Sequence, residues 1–158
     1  MRINHSFHAA ARARLSTLWQ QFSPLFELPF ELSRRDLLFE TELYLADIGD
    51  TELSSFSSAI GSGALAQLTR LELESNRIGD AGMSSFSSAI GSGALSQLEE
   101  FFLNGNQIGD AGLASFAQAL GSGALAQLET VDFGRNPASK EARERIEQIL
   151  RDRRDGSR

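Results

Sequence analysis

Cysteine is absent from this chain of 158 residues, proline occurs three times, and tryptophan and tyrosine once each. Without thiols there is no disulfide framework, no thiol nucleophile and no cysteine-ligated zinc or iron–sulfur cluster. The only histidines, His5 and His8, stand together in the first ten residues. No apolar run approaches the ~20 residues that a membrane-spanning helix needs, so no membrane partner is expected. Basic charge is also scarce: 15 Lys and Arg face 21 Asp and Glu, for a net charge of -6. Phosphate neutralisation requires a basic face, so nucleic acid is not an expected partner either. The length suits one domain, the usual range being about 100–200 residues.

The charge that is present is segregated. Residues 1–37 hold five Arg and three acids, residues 38–136 thirteen acids and only Arg70, Arg77 and Arg135, and residues 137–158 seven Lys or Arg and five acids. An acidic middle lies between two basic ends.

That middle is repetitive. Ile48, Ile78 and Ile108 are thirty residues apart, as are Asp50, Asp80 and Asp110, and Phe56, Phe86 and Phe116. Residues 51–68 and 81–98 are identical at fourteen of eighteen positions. Each unit changes period halfway. In 68–80, Leu71 and Leu73 alternate with Arg70, Glu72 and Glu74, which predicts a short strand with one buried face. Asn76 lies in the polar turn that follows, and Asp80 stands where a helix N-cap would. Met83, Phe86, Ala89 and Ile90 then fall at helical spacing, and Gly91 and Gly93 end the helix in the left-handed cap conformation. One such unit cannot bury its own apolar face, so neighbours must stack.

These residues, in the pattern LxxLxLxxNxIGDAGxxxFxxAIxxGAL, resemble the leucine-rich repeat of the ribonuclease-inhibitor type. The resemblance covers residues 38 to about 136. It implies an α/β solenoid, a horseshoe segment with parallel strands on the concave side, helices on the convex side and helical caps at both ends. The expected units are 38–67, 68–97, 98–127 and a partial 128–136. On the thirty-residue spacing, the first unit has Thr41 at a leucine site and Ala46 at the asparagine site, while Phe101 takes a leucine site in the third. The recurring Asn76, Asn106 and Asn136 read as partners for backbone groups that the turn leaves buried.

Residues 137–158 carry an apolar stripe, Ala142, Ile146, Ile149 and Leu150, and read as a capping helix with a frayed tail. Residues 1–37 are basic and place Phe7, Ala11, Leu15, Leu18 and Phe22 on one helical face. They read either as a helical cap on the first strand or as a targeting segment. The expected location is cytoplasmic, or an organelle if residues 1–26 are a transit peptide.

Gly61 to Ala66 matches G-x-G-x-x-A, but these glycines close a helix instead of opening one after a strand, so no dinucleotide or other cofactor is expected. The acid pairs lack calcium-loop spacing, so no metal is expected. No nucleophile, base and orienting group occur together, so no catalytic residue is assigned and the protein is expected not to be an enzyme.

What varies between units is the outward face of the strands. It offers Glu40, Glu42 and Tyr44, then Arg70, Glu72 and Glu74, then Glu100, Phe102 and Asn104, then Thr130 and Asp132 with Arg135 next. These are the expected partner-binding residues, with Tyr44 and Phe102 as exposed aromatic anchors. Six carboxylates and one guanidinium on the strands predict a basic protein partner. Four strands at ~4.8 Å spacing span only about 15 Å, whereas a standard interface uses roughly 20–30 residues a side. Either binding is weak, or loops and the chain ends contribute, or two chains associate. The resemblance also implies an alternative role as regulator of an enzyme, a basic ribonuclease or a small GTPase. A structural repeat fragment without a partner is a further alternative.

Overall fold

The computed structural model describes residues 41–63 and 65–156. The expected cap or targeting segment at 1–37 lies outside these residues. Four short strands alternate with four helices: β1 (Glu42–Tyr44), α1 (Asp50–Gly61), β2 (Arg70–Glu72), α2 (Asp80–Gly91), β3 (Glu100–Phe102), α3 (Asp110–Gly121), β4 (Thr130–Asp132) and α4 (Lys140–Gly156). The strands form one parallel sheet in the order β1-β2-β3-β4. Each helix packs on the next, α1 on α2, α2 on α3 and α3 on α4. Packed helices need ~8–10 Å between axes, whereas paired strands need only ~4.8 Å. Stacking the two layers in register therefore curves the solenoid toward its strand side.

The core lies between the layers. Leu71, Leu73, Ile78, Met83, Phe86 and Ile90 of the second unit are fully buried, and so are their counterparts in the third. Phe101 extends this core into an aromatic spine. Ring centroids are 5.0 Å apart for Phe86 and Phe101, 5.9 Å for Phe101 and Phe116, and 5.6 Å for Phe116 and Phe133. The spine crosses from helix to strand and back, tying α2 to β3 and α3 to the residue that follows β4.

The first unit differs from its expected register. Glu42 pairs with Arg70 and Leu43 with Leu71, whereas Arg70 pairs with Glu100 and Leu71 with Phe101. The strand leucines are therefore Leu43 and Leu45, both buried. Thr41 does not occupy a leucine site. The turn between β1 and α1 is two residues shorter than the others, and its shortening removes the asparagine position altogether. A two-residue slip keeps every side chain on its original face, because strand faces alternate with period two.

Two polar ladders join the units. Asn76 Oδ1 accepts from Ile48 N–H (2.8 Å), and its Nδ2 donates to Leu45 O (2.9 Å). Asn106 does the same for Ile78 N–H (3.0 Å) and Leu73 O (2.7 Å), and Asn136 for Ile108 N–H (2.9 Å) and Leu103 O (2.9 Å). All three are buried. Each asparagine serves the unit before it.

The aspartates work in the other direction. Asp80 is not the N-cap of its own helix: Gly79 holds that place, with no side-chain cap bond of its own. The carboxylate that caps α2 comes from Asp50, thirty residues earlier, whose Oδ1 accepts from Gly79 N–H (2.7 Å) and Gly82 N–H (2.9 Å). Asp80 caps α3 through Gly109 (2.7 Å) and Gly112 (2.9 Å), and Asp110 accepts from Ser139 N–H (2.6 Å). The carboxylates lie at the positive end of each helix dipole. In α1, Glu52 takes the place of Gly82 and bonds back to Gly49 N–H at 2.8 Å, so this helix is capped from within its own unit.

Helix ends are also specific. Gly93, not Gly91, is the left-handed residue after α2, with φ +97, and Gly91 is the last helical residue. Leu65, Leu95 and Leu125 adopt φ of 59, 54 and 50 and are nonetheless buried. A left-handed leucine costs ~1–2 kcal/mol, which the burial of its side chain offsets. At the far end, α4 buries Ile146 and Leu150. Arg153 of α4 donates to the Leu120, Ala124 (2.8 Å) and Leu125 (2.9 Å) carbonyls, which lie at and just beyond the end of α3.

Asn106→Ala leaves Ile78 N–H and Leu73 O buried without their partner, while Leu103 O retains Asn136. At ~1–3 kcal/mol per orphaned group, urea denaturation should show a loss of about 3 kcal/mol. Glycine to alanine within a helix ordinarily stabilises by up to ~1 kcal/mol. Gly91→Ala should follow that rule, having nothing within 4 Å of its added Cβ. Gly82→Ala should reverse it and lower the melting temperature, because its Cβ would lie 2.6 Å from Asp50 Oδ1 and 3.0 Å from Asp50 Cα.

Candidate functional site

The outward side chains of the four strands form three columns. The first runs Glu42, Arg70, Glu100, Thr130, and the second Tyr44, Glu72, Phe102, Asp132. The third contains Glu74, Asn104 and Gly134, fixed by Ser75 N–H to Asn104 O (2.9 Å) and Gly105 N–H to Gly134 O (2.9 Å). The register slip places Glu42 and Tyr44 one column position away from the expected alignment, so Glu42 faces Arg70 and Tyr44 faces Glu72. Glu40 lies outside the described residues.

Arg70 dominates the centre. Its Nε donates to Glu72 Oε1 at 2.7 Å, and its Nη1 donates to Glu100 Oε2 on the next strand. Its guanidinium carbon sits 4.6 Å from the centroid of the Phe102 ring, a cation–π contact. The hydrogen bond to Glu72 and the nearby carboxylate charges hold the guanidinium pKa above its ordinary value, despite a smaller opposing effect of burial. Phe102 is consequently half-buried and not an open aromatic anchor. Tyr44, 56% exposed, is the one exposed large hydrophobic side chain among the described residues.

Of the described strand-face carboxylates, Glu72 and Glu100 are paired with Arg70, while Glu42, Glu74 and Asp132 stand outside that cluster. Asp132 Oδ1 also accepts from Gly134 N–H at 2.7 Å. Thr130 and Arg135 are exposed at the far edge. Among the described residues, no three His, Asp or Glu side chains converge to hold a metal ion. Within the same residues no helix is long and apolar enough to cross a membrane.

Asn104 differs from the ladder asparagines. Its Oδ1 is buried and has no hydrogen-bond partner. The sequence places Asn104 on this face but does not reveal the unused acceptor, because burial of a single side-chain atom depends on three-dimensional packing. Nor does it show the enclosure of Arg70, although opposite charges two residues apart on one strand face are a visible signal.

Two segments of the chain, residues 66–87 and 97–117, match the family model described as leucine-rich repeat. Each runs from the end of one unit through the strand and turn into the next helix. No curated protein matches the chain. Among solved structures, an internalin from Listeria monocytogenes is similar, with 24% identity and a TM-score of 0.35. The match covers 62% of this chain and 28% of the internalin, so the chain accounts for less than a third of that protein's length.

A buried acceptor without a donor costs ~1–3 kcal/mol. Asn104→Leu, which removes the acceptor at similar volume, should therefore raise the melting temperature. Differential scanning calorimetry of the purified variant would measure it, and a fall would mean that Asn104 is already satisfied.

Proposed function

We propose that this leucine-rich-repeat chain is a non-enzymatic interaction module whose acidic strand face recruits a basic protein. Leucine-rich repeats generally mediate protein–protein contacts. The carrying observation is the contrast between the two sides of each strand. Inward positions repeat apolar residues, mostly leucine or phenylalanine, whereas outward positions change from unit to unit and gather Glu42, Glu72, Glu74, Glu100 and Asp132 on one face with a single guanidinium, which pairs with Glu72 and Glu100. Packing explains the first pattern and leaves the second free to serve recognition.

Clustered carboxylates raise the encounter rate and exclude acidic competitors more than they add affinity. Tyr44 supplies apolar area at one edge, and Asn104 supplies an acceptor that lacks a donor. The resemblance to ribonuclease-inhibitor-type repeats fits this reading. A basic enzyme is one such partner, and binding it would make the module its regulator.

The test is capture of partners on the immobilised protein at two salt concentrations, followed by a variant. Binding should weaken steeply between about 0.05 and 0.5 M salt, since the screening length falls below ~10 Å above 0.1 M. Combining Glu72→Gln, Glu74→Gln and Phe102→Ala should weaken capture of the same partner at least tenfold and leave the circular dichroism spectrum unchanged. Unchanged capture would remove the strand face from consideration.

A further inference from the structure

Phe102, Glu72 and Glu100 together enclose a planar cation. The ring lies beneath the guanidinium at 4.6 Å, one carboxylate holds Nε at 2.7 Å, and a second, from the neighbouring strand, holds Nη1. Aromatic face below and carboxylates at the rim suit guanidinium better than ammonium, because guanidinium stacks and donates in its plane. The group that fills this cradle is the chain's own Arg70.

We propose that the cradle receives an arginine of the basic partner, and that Arg70 is a resident occupant displaced when the partner binds. This proposal rests on the acidic-face reading above. Three observations support it. Arg70 is the only basic side chain on the described strand positions that face outward, among Glu42, Glu72, Glu74, Glu100, Thr130 and Asp132. Its side chain remains 37% exposed, as do those of Glu72 at 29% and Glu100 at 40%, so the ion pairs are accessible to solvent. Such half-exposed pairs add little to stability, and opening them is inexpensive. Finally, two residues beyond Phe102 on the same strand face, Asn104 Oδ1 is buried without a donor. That orphan is independent of the charge pattern and marks an acceptor that an arginine, with five N–H groups, can satisfy.

A resident occupant has a measurable effect. The apparent affinity for the incoming arginine is reduced to the intrinsic affinity multiplied by the fraction of molecules in which the cradle stands open. Removing Arg70 should abolish that reduction.

The experiment uses the full chain with oligo-arginine and oligo-lysine peptides of equal length, followed by isothermal titration calorimetry. Arg70→Gln should bind the arginine peptide about three- to fivefold more tightly than wild type, a change on the scale of one solvent-accessible cation–π contact. Arg77→Gln is the control: Arg77 is exposed in the turn after Asn76, and its loss changes the net charge equally. It should shift affinity less than about twofold, the size expected of a screened surface charge. The Arg70→Gln gain should be smaller for lysine and should vanish in Arg70→Gln combined with Phe102→Leu, which keeps apolar volume but loses the ring. Thermal unfolding of each variant confirms that it is folded. Equal gains from Arg70→Gln and Arg77→Gln would overturn the cradle and leave the acidic face standing. Weaker binding by Arg70→Gln would overturn displacement and make Arg70 itself a partner contact. If neither peptide binds any form, both the cradle and the acidic-face reading fall.

Discussion

Each boundary between units is closed by side chains that reach across it in opposite directions. Asparagines extend backward to the preceding turn, and aspartates extend forward to the following helix. Both satisfy backbone groups that the local backbone leaves without partners: the N–H after a tight turn and the first N–H groups of a helix. A unit is thus incomplete in its polar groups as well as in its apolar face. The aromatic spine adds the same dependence inside the core, with Phe86 of one unit against Phe101 of the next. Coupling of this kind concentrates stability at the interfaces and makes the array unfold as a block.

That rigidity sets the geometry of the strand face. Because the ladders hold strands in register, outward side chains from separate units meet at fixed distances. Arg70 reaches Glu100 and Phe102, thirty and thirty-two positions away in sequence, without any loop to position it. A recognition surface built this way can change residue by residue while the inward leucines stay constant. The surface chemistry is then independent of the fold that displays it.

Much of this was readable from the residues. Strand, turn and helix follow from the period change at Asn76, and the buried role of the asparagines follows from what their amide can donate and accept. The aspartates show where such reading stops. In a sequence with a thirty-residue period, a contact within one unit and a contact to the next carry the same spacing pattern, so Asp80 looked like the cap of its own helix. The first strand was hidden for a related reason. Ile48, Gly49 and Asp50 keep the thirty-residue spacing and anchor the alignment, while the shortened turn ahead of them moves Leu43 and Leu45 unseen. The enclosure of Phe102 needed the neighbouring strand's position, which composition does not supply.

Glu52 gives the array a polarity. Its carboxylate occupies the mouth of α1, the location that in α2 and α3 receives the aspartate of the preceding unit. Were the 42–61 segment copied into the interior, two like charges would compete for one helix end, and the bulk of Glu52 would stand where glycine is required. Copies of the segments bearing Gly82 or Gly112 meet no such obstacle. Lengthening by tandem duplication is therefore open to the inner modules, whereas a copy of the 42–61 segment would bring a competing carboxylate with it, so the modules are not interchangeable monomers of one polymer.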